Sequence, residues 1–311
     1  MTEEFSIVCG NANRRLAAAV ARAVGARLGA ATVERFPDGE VSVDVRETVR
    51  RKDVFIVQST APPVNDHLME LLALADAVRR ASAAHIIAVI PYFGYARSDK
   101  RHGRREPINA RLVADVIQSA GIDHVITLDL HAAQIEGFFH IPVDSLSAVS
   151  VLSDALRPRL PAGTVVVSPD EGRLQMATEY AQQLNTSVIL LHKTRASGVK
   201  TRVTHLVGDV RGRPCLVVDD MISTGGTIAE GVEVLLRAGA QPGITVAATH
   251  GLLLQGARAK LSTEGMGDVF VTDTIQPASE DWPRLHVVSI ASLIADAIQR
   301  VTSERFAEDR M

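Results

Sequence analysis

The chain has 311 residues, enough for two domains, and its content of 46% hydrophobic and 22% charged residues is ordinary for a globular protein. Its formal net charge of −3 gives no attraction to nucleic acid or to an anionic membrane surface, and no apolar run approaches the roughly 20 residues of a membrane-spanning helix. The opening residues are acidic, and the only cysteines, Cys9 and Cys215, lie in apolar strand-like runs, which predicts a cytoplasmic protein with reduced thiols.

Short β-branched runs alternate with helical stretches in both halves of the chain. In the first half we predict strands at 5–10, 53–59 and 85–94 and helices at 14–25 and 67–83. In the second half we predict strands at 164–169, 187–193, 214–220 and 244–251 and helices at 172–184 and 227–240. The predicted strands at 5–10 and 53–59 lie about 50 residues apart, and so do those at 164–169 and 214–220. This equal spacing is consistent with a duplicated domain.

This order predicts an α/β protein with two homologous, doubly wound parallel-sheet domains. We place the first domain at 1–145 and the second at 146–290. The remaining segment, 291–311, contains an amphipathic pattern and is expected to form a helix that packs back on the first domain. Binding sites in such sheets form beyond the carboxyl ends of the strands.

Two adjacent aspartates, Asp219 and Asp220, follow an apolar run at the expected end of a strand. Neighbouring carboxylates repel each other, so we expect a positive group or a set of hydroxyls to meet them. Ser223, Thr224, Gly225, Gly226 and Thr227 come next and lead into a helix that should begin near Ile228. Their backbone N–H groups and hydroxyls, with the helix N-terminus, make an anion site.

The aspartate pair and the loop together predict a binding site for ribose 5-phosphate, and only the second half of the chain has the residues for it. The matching loop of the first half, at 60–66, contains Pro62 and Pro63, which have no N–H to donate. The alternative interpretation of the second loop is an ordinary strand-to-helix turn with solvated aspartates. Two consecutive acids after an apolar run are too costly for such a turn.

The loop resembles the ribose-phosphate loop of the type I phosphoribosyl family, and ordered matches over about residues 5–300 narrow the resemblance to the ribose-phosphate diphosphokinase (phosphoribosyl pyrophosphate synthetase) family. The motifs are RFPDGEVSVDV, NDHLMELLALADAVRRASA, IPYFGYARSDKR, REPINARLVADVI, DLHAAQIEGFF, IPVDSL, SPDEG, HKTR, ATHGL and VTDTI. The resemblance implies two phosphoribosyltransferase-like domains. It also implies Mg²⁺-dependent transfer of the β,γ-diphosphoryl group of ATP to the C1 hydroxyl of ribose 5-phosphate.

Cations and possible metal ligands also follow the predicted strands. Lys193 and Arg195 lie in a loop segment that could close over the site, and the resemblance implies that both stabilise the transition state and that Arg195 also contacts ribose 5-phosphate. His131 comes after an apolar strand, and the resemblance makes it a magnesium or ATP-phosphate contact. Asp170 ends the first strand of the second half, where a carboxylate suits magnesium and the family places a metal ligand.

The resemblance assigns two further stretches to ATP. One contains Arg97, Ser98 and Asp99, with Arg97 on the ATP phosphates. The other, read by itself as a hairpin turn, holds adenine and ribose and contains Phe36, Asp38, Gly39 and Glu40. In the family this hairpin comes from a neighbouring subunit, so we expect a homo-oligomer with a nucleotide site shared between chains.

Ser223 and Ser98 replace an aspartate and a glutamine of many bacterial members, and KTRASG with DDMISTGGT favours the archaeal-type branch. Two rival functions remain. A phosphoribosyltransferase uses the same loop, but the duplication and the hairpin argue against it. A non-catalytic regulatory homologue would lack the histidine or the loop cations, and His131, Lys193 and Arg195 are all present.

Overall fold

The computed structural model describes residues 5–101, 103, 105–195, 202–277 and 281–308, without the side chains of 192–195, 202–205 and 304–308. The chain forms two compact units. The first consists of Met1–Ser147, Thr274–Gln276 and Ser289–Met311, and the second of Ala148–Asp273 and Pro277–Val288. No helix within the described ranges is both long enough and apolar enough to cross a bilayer.

The first unit contains a five-stranded parallel sheet with the order β1-β4-β5-β6-β7 and a separate antiparallel hairpin, β2–β3. Its elements are β1 (Phe5–Cys9), α1 (Arg14–Ala23), β2 (Ala31–Arg35), β3 (Val41–Val45), β4 (Asp53–Val57), α2 (Val64–Arg80), β5 (His85–Ile90), α3 (Asn109–Ser119), β6 (His124–Leu128), a 3-10 helix (Ala133–Phe138), β7 (Val143–Leu146) and, near the end of the chain, α8 (Ala291–Glu308).

The second unit contains a seven-stranded sheet with the order β10-β9-β8-β11-β12-β13-β14, in which only β10 runs antiparallel to its neighbour. Its elements are α4 (Val149–Leu156), β8 (Val165–Ser168), a 3-10 helix (Glu171–Arg173), α5 (Leu174–Leu184), β9 (Val188–Arg195), β10 (Arg202–Val207), β11 (Cys215–Ile222), α6 (Gly226–Arg237), β12 (Ile244–Gly251), α7 (Ala257–Lys260), β13 (Met266–Thr272) and β14 (Leu285–Val288).

The strands of both sheets are apolar without alternation because helices cover both faces. In β4, for example, Val54, Phe55 and Ile56 are all completely buried. Leu71 and Leu74 of α2 belong to the core on one side of the first sheet, and α1 packs against α8 in the same unit. The predicted α/β class is confirmed by this arrangement.

The two sheets repeat one plan. Strands β1-β4-β5-β6-β7 correspond in order to β8-β11-β12-β13-β14, and each unit inserts a hairpin before the second strand of this series, after α1 in the first unit and after α5 in the second. In the first unit that hairpin stands apart as β2–β3. In the second unit the equivalent hairpin, β9–β10, joins the main sheet through β8.

Three predicted boundaries are wrong. Asp219 and Asp220 lie inside β11 rather than at its end, because pairing with β12 continues to Ile222. Helix α6 begins at Gly226 rather than near Ile228. Lys193 and Arg195 belong to strand β9 rather than to a loop, because the backbone of β9 pairs with β10 as far as the partners Arg195 and Arg202.

Candidate active site

The second unit gathers its charged residues at one edge of the sheet. Strands β8, β9 and β11 are parallel neighbours, with Val167 opposite Val217 and Ser168 opposite Leu190. Their carboxyl ends therefore meet at the same edge. Asp170 follows β8 there, and the aspartate pair is near the end of β11.

A guanidinium group meets the two aspartates. The Nε atom of Arg173 lies 3.2 Å from Oδ1 of Asp220 and 3.5 Å from Oδ1 of Asp219. The side chains of Arg173, Asp219 and Asp220 are 13%, 15% and 2% exposed. The positive group that the sequence required is therefore supplied by the chain itself, from the 3-10 helix after β8.

The close packing of two carboxylates changes the acidity of Asp219. Burial away from water raises the pKa of its carboxyl well above the usual range, the negative charge of Asp220 raises it further, and Arg173 opposes both effects. The folded chain thus holds this proton more tightly than the unfolded chain. The stability that this group contributes is fully present below the unfolded pKa of about 3.9 and is lost as the pH rises through the raised folded pKa.

Replacing Asp219 with Asn should therefore stabilise the protein at neutral and alkaline pH. We expect the variant to melt about 2–4 °C above the native chain at about pH 8, which corresponds to about 1 kcal/mol. The difference in melting temperature between the variant and the native chain should shrink as the pH falls, because the Asp219 carboxyl then becomes neutral like the Asn amide. Thermal unfolding followed by circular dichroism over this pH range measures the effect.

Asp209 in the same unit provides a control of opposite sign. Its hydrogen bonds from Arg211 lower the pKa of its carboxyl, so its contribution is present above the unfolded pKa and is lost as the pH falls through the folded pKa. The Asp209→Asn variant should melt at or slightly below the native temperature at about pH 8. A higher melting temperature in both variants would contradict the conclusion that the buried negative charge of Asp219 destabilises the folded chain.

The loop after β11 is shaped by a left-handed residue. Gly225 has φ of +72° and precedes the first residue of α6, Gly226. A side chain at Gly225 would be strained in this conformation and would approach Cγ of Leu261 to 3.1 Å. The loop keeps its backbone N–H groups near the start of a 12-residue helix, which is the arrangement that binds anions.

The other predicted loop residues are partly or fully accessible. Ser223 is half-buried, whereas Thr224 and Thr227 are exposed. The Ser223 carbonyl accepts a hydrogen bond from Leu254 N at 3.0 Å, which fixes the loop to the segment after β12. The hydroxyl groups of the loop are thus available on a backbone that is held in place.

The structure locates the backbone of Lys193 and Arg195 but not their side chains, which lie outside the described residues. Lys193 pairs with Thr204 across the β9–β10 hairpin. Because β9 continues in parallel beside β8, the backbone of Lys193 reaches the edge at which Asp170 lies.

Within the described ranges, no group of three or more His, Cys, Asp and Glu side chains is arranged to hold a metal ion. Asp170 nevertheless offers a half-buried carboxylate whose Oδ1 accepts a hydrogen bond from Arg173 N at 3.2 Å. A carboxylate oxygen is a donor that Mg²⁺ prefers, and Mg²⁺ commonly completes its coordination with water and substrate phosphates. Asp170 therefore offers one oxygen ligand, but the described residues do not by themselves form a metal site.

The first unit fills the equivalent position with its own side chains. Gln58, which corresponds to Asp219 in the repeat, is completely buried, and its Nε2 donates to Oε2 of Glu70 at 2.9 Å. The backbone N–H of Asn11 donates to the same oxygen at 2.9 Å. A protein carboxylate thus takes these donors at the position that the aspartate pair occupies in the second unit.

The predicted nucleotide residues of the first unit lie after β5 and β6. Ser98 Oγ accepts from Asn109 N at 3.2 Å at the start of α3, so its hydroxyl also has a capping role. Asp99 is buried and accepts a hydrogen bond from the Gln134 amide, which joins the loop after β5 to the 3-10 helix that follows β6. Arg97 is exposed, and His131 is half-buried directly after β6.

The predicted hairpin turn at Phe36, Asp38, Gly39 and Glu40 is present between β2 and β3. Phe36 N donates to Glu40 O at 2.9 Å, Asp38 Oδ1 accepts from Glu40 N at 3.1 Å, and Gly39 has φ of +95°. The Phe36 side chain is 53% exposed. Arg35 at the base of the turn pairs with Asp66 of α2, with Nη1 2.8 Å from Oδ2.

Comparison with known proteins gives consistent results over nearly the whole chain. Residues 5–121 match the family model of the N-terminal domain of ribose phosphate pyrophosphokinase, and residues 197–308 match that of the phosphoribosyl synthetase-associated domain. The chain is 45% identical over 303 residues to ribose-phosphate pyrophosphokinase of Brucella melitensis, covering 96% of this chain and 97% of that protein. The enzyme of Thermotoga maritima is 44% identical over 304 residues, covering 96% of each.

A crystal structure of phosphoribosylpyrophosphate synthetase from Mycobacterium smegmatis superposes with a TM-score of 0.90 at 41% identity, covering 97% of this chain and all of that one. Two parallel-sheet units of the type I phosphoribosyltransferase kind, one with an aspartate pair and an anion loop, define a phosphoribosyl-type α/β enzyme. Within that class, the chain belongs to the ribose-phosphate pyrophosphokinase family. These relatives are bacterial, so the expected closeness to the archaeal-type branch is not supported.

Proposed function

We propose that the chain transfers the β,γ-diphosphoryl group of ATP to the C1 hydroxyl of ribose 5-phosphate, giving phosphoribosyl pyrophosphate and AMP. In this reaction the C1 oxygen bonds to the β-phosphorus, the β-phosphorus loses its bond to the oxygen that leaves with AMP, and the hydroxyl proton is released. The observation that carries the proposal is the aspartate pair beside the glycine loop, in a chain that belongs to this family.

The second unit would bind ribose 5-phosphate. The 5-phosphate would lie at the loop formed by Ser223, Thr224, Gly225, Gly226 and Thr227, where N–H groups and the helix N-terminus attract an anion. The carboxylates of β11 would accept hydrogen bonds from the ribose hydroxyls, with Arg173 limiting their mutual repulsion. Support comes from the loop geometry and from the burial of the pair.

Lys193 and Arg195 would stabilise the negative charge that develops on the moving diphosphoryl group, and Arg195 would also contact ribose 5-phosphate. A bound magnesium ion would neutralise phosphate charge, and Asp170 and His131 are the ligands that the resemblance names for it. Asp170 offers the oxygen donor that Mg²⁺ prefers, whereas His131 offers only nitrogen.

The first unit would bind ATP through two groups of residues. The loop residues are Arg97, Ser98, Asp99 and His131, and the hairpin residues are Phe36, Asp38, Gly39 and Glu40. The exposed ring of Phe36 suits stacking on an adenine base. We further propose a homo-oligomer in which this hairpin completes the nucleotide site of a neighbouring subunit, and a cytoplasmic location in keeping with two buried free cysteines.

The decisive experiment incubates the purified chain with ATP, ribose 5-phosphate and Mg²⁺ and follows the nucleotides and the sugar phosphate. We expect AMP and phosphoribosyl pyrophosphate to appear in equal amounts. ADP as the nucleotide product would contradict diphosphoryl transfer. Binding of ribose 5-phosphate without any product would instead favour the regulatory homologue.

A further inference from the structure

The segment that follows β12 supports the phosphate loop from one side. Leu253 N donates to Ile222 O and Leu254 N to Ser223 O, both at 3.0 Å. The Cβ position of Gly225 faces Leu261, just beyond α7. The end of α7 is therefore held against the loop by hydrogen bonds and by packing.

This packing brings the ammonium group of Lys260 to the first turn of α6. Its Nζ atom lies 3.8 Å from the point where a Cβ on Gly226 would stand, and Thr224 Oγ1 lies at the same distance from that point. The Lys260 residue is exposed. A positive charge is thus placed beside the hydroxyl and N–H donors that make the loop an anion site.

Lys260 also differs from its neighbours in its electrostatic partners. Arg258, two residues earlier in α7, is paired with Asp281, with Nη1 3.0 Å from Oδ1. The carboxylates of β11 are served by Arg173. Among the described residues, no carboxylate lies within 4.0 Å of the Lys260 ammonium, so its charge remains available to an external anion.

We propose that Lys260 binds the 5-phosphate of ribose 5-phosphate together with the loop after β11 and thereby favours phosphorylated pentoses. This inference rests on the proposed function, because it assigns a further residue to the same substrate. A lysine ammonium interacts with a phosphate as a compact point charge with three donors. Since the 5-phosphate takes no part in the bond changes at the C1 oxygen and the β-phosphorus, the interaction should act equally in the ground and transition states.

The test compares Lys260→Met with Lys260→Arg and with the matched control Arg258→Met in the full chain. We expect Lys260→Met to raise KM for ribose 5-phosphate about tenfold with kcat and KM for ATP unchanged, the pattern of lost uniform binding. Lys260→Arg should keep most of the affinity, and Arg258→Met should stay within about twofold of the native chain. Raising the salt concentration should narrow the difference between native and Lys260→Met.

Calorimetric binding of ribose 5-phosphate without ATP separates this inference from the proposed function. Native-like affinity in Lys260→Met, or a loss of kcat and thermal stability with no selective change in KM, would overturn the role of Lys260. If the native chain binds the sugar phosphate but forms no product, and Lys260→Met binds it more weakly, the role of Lys260 is supported and only the proposed activity is overturned. Absence of binding by the native chain would overturn both.

Discussion

Replacement of Lys193 with Ala is expected to lower kcat about 10²–10³-fold while the dissociation constant of ribose 5-phosphate changes by less than about threefold. A cation aimed at the moving diphosphoryl group interacts most strongly when charge develops there, so its loss acts on the transition state rather than on binding of the acceptor. The parallel pairing of β8 and β9 carries the Lys193 backbone to the carboxyl edge of the second sheet. Initial rates of AMP formation and calorimetric binding of ribose 5-phosphate give the two quantities.

Lys52→Ala provides the matched control, because Lys52 precedes β4 of the first unit and has no proposed role in the site. It should leave both quantities close to those of the native chain. If Lys193→Ala instead weakened ribose 5-phosphate binding as much as it lowered kcat, Lys193 would act in ground-state binding and the assigned role would be wrong.

The alternation of strands and helices could be predicted because local sequence determines it. Fully buried parallel strands need unbroken apolar runs, and the helices between them need one apolar face, so both leave periodic patterns in the chain. The spacing of the strands also predicted the duplication, since β1 and β4 are separated by about as many residues as β8 and β11. The prolines of the first loop and the glycines of the second loop indicated which half carries the anion site.

The boundaries of β9, β10 and β11 were not predictable in the same way because pairing partners determine them. The polar residues Asp219 and Asp220 look like a strand end, but β12 continues to pair beyond them. The stretch from Lys193 onward looks like a loop, but β10 provides backbone partners for it as far as Arg195. In both cases inter-strand hydrogen bonds outweigh the local preference of the residues.

Arg173 and Lys260 were missed because their importance lies in contacts between distant segments. Arg173 reaches a strand 46 residues later in the chain, and Lys260 approaches a loop that precedes it by more than 30 residues. The only signal for Arg173 was indirect: two neighbouring carboxylates need a cation, and a basic residue stands three positions after Asp170. No pattern of spacing identifies such a residue before the fold is known.

Replacing Arg173 with Met should destabilise the second unit by about 3 kcal/mol, because it removes the guanidinium that lies 3.5 and 3.2 Å from the buried carboxylates of Asp219 and Asp220. Arg173 now opposes the upward shift of the Asp219 pKa, so its loss should raise that pKa further. The melting temperature should fall by about 5–10 °C at about pH 8, and the deficit should shrink on acidification as Asp219 binds a proton. Ribose 5-phosphate should bind about tenfold or more weakly, since a protonated or displaced carboxyl accepts hydrogen bonds from the sugar less well.

The Arg237→Met variant separates this effect from the loss of any ion pair. Arg237 pairs with Glu233 at 3.0 Å on the exposed side of α6, with both side chains well solvated, and its removal should cost less than about 0.5 kcal/mol. Adding Asp219→Asn to Arg173→Met should restore part of the lost stability, because it removes one of the two opposed charges. Equal melting temperatures for Arg173→Met and Arg237→Met, or no recovery in the double variant, would mean that Arg173 does not neutralise the pair.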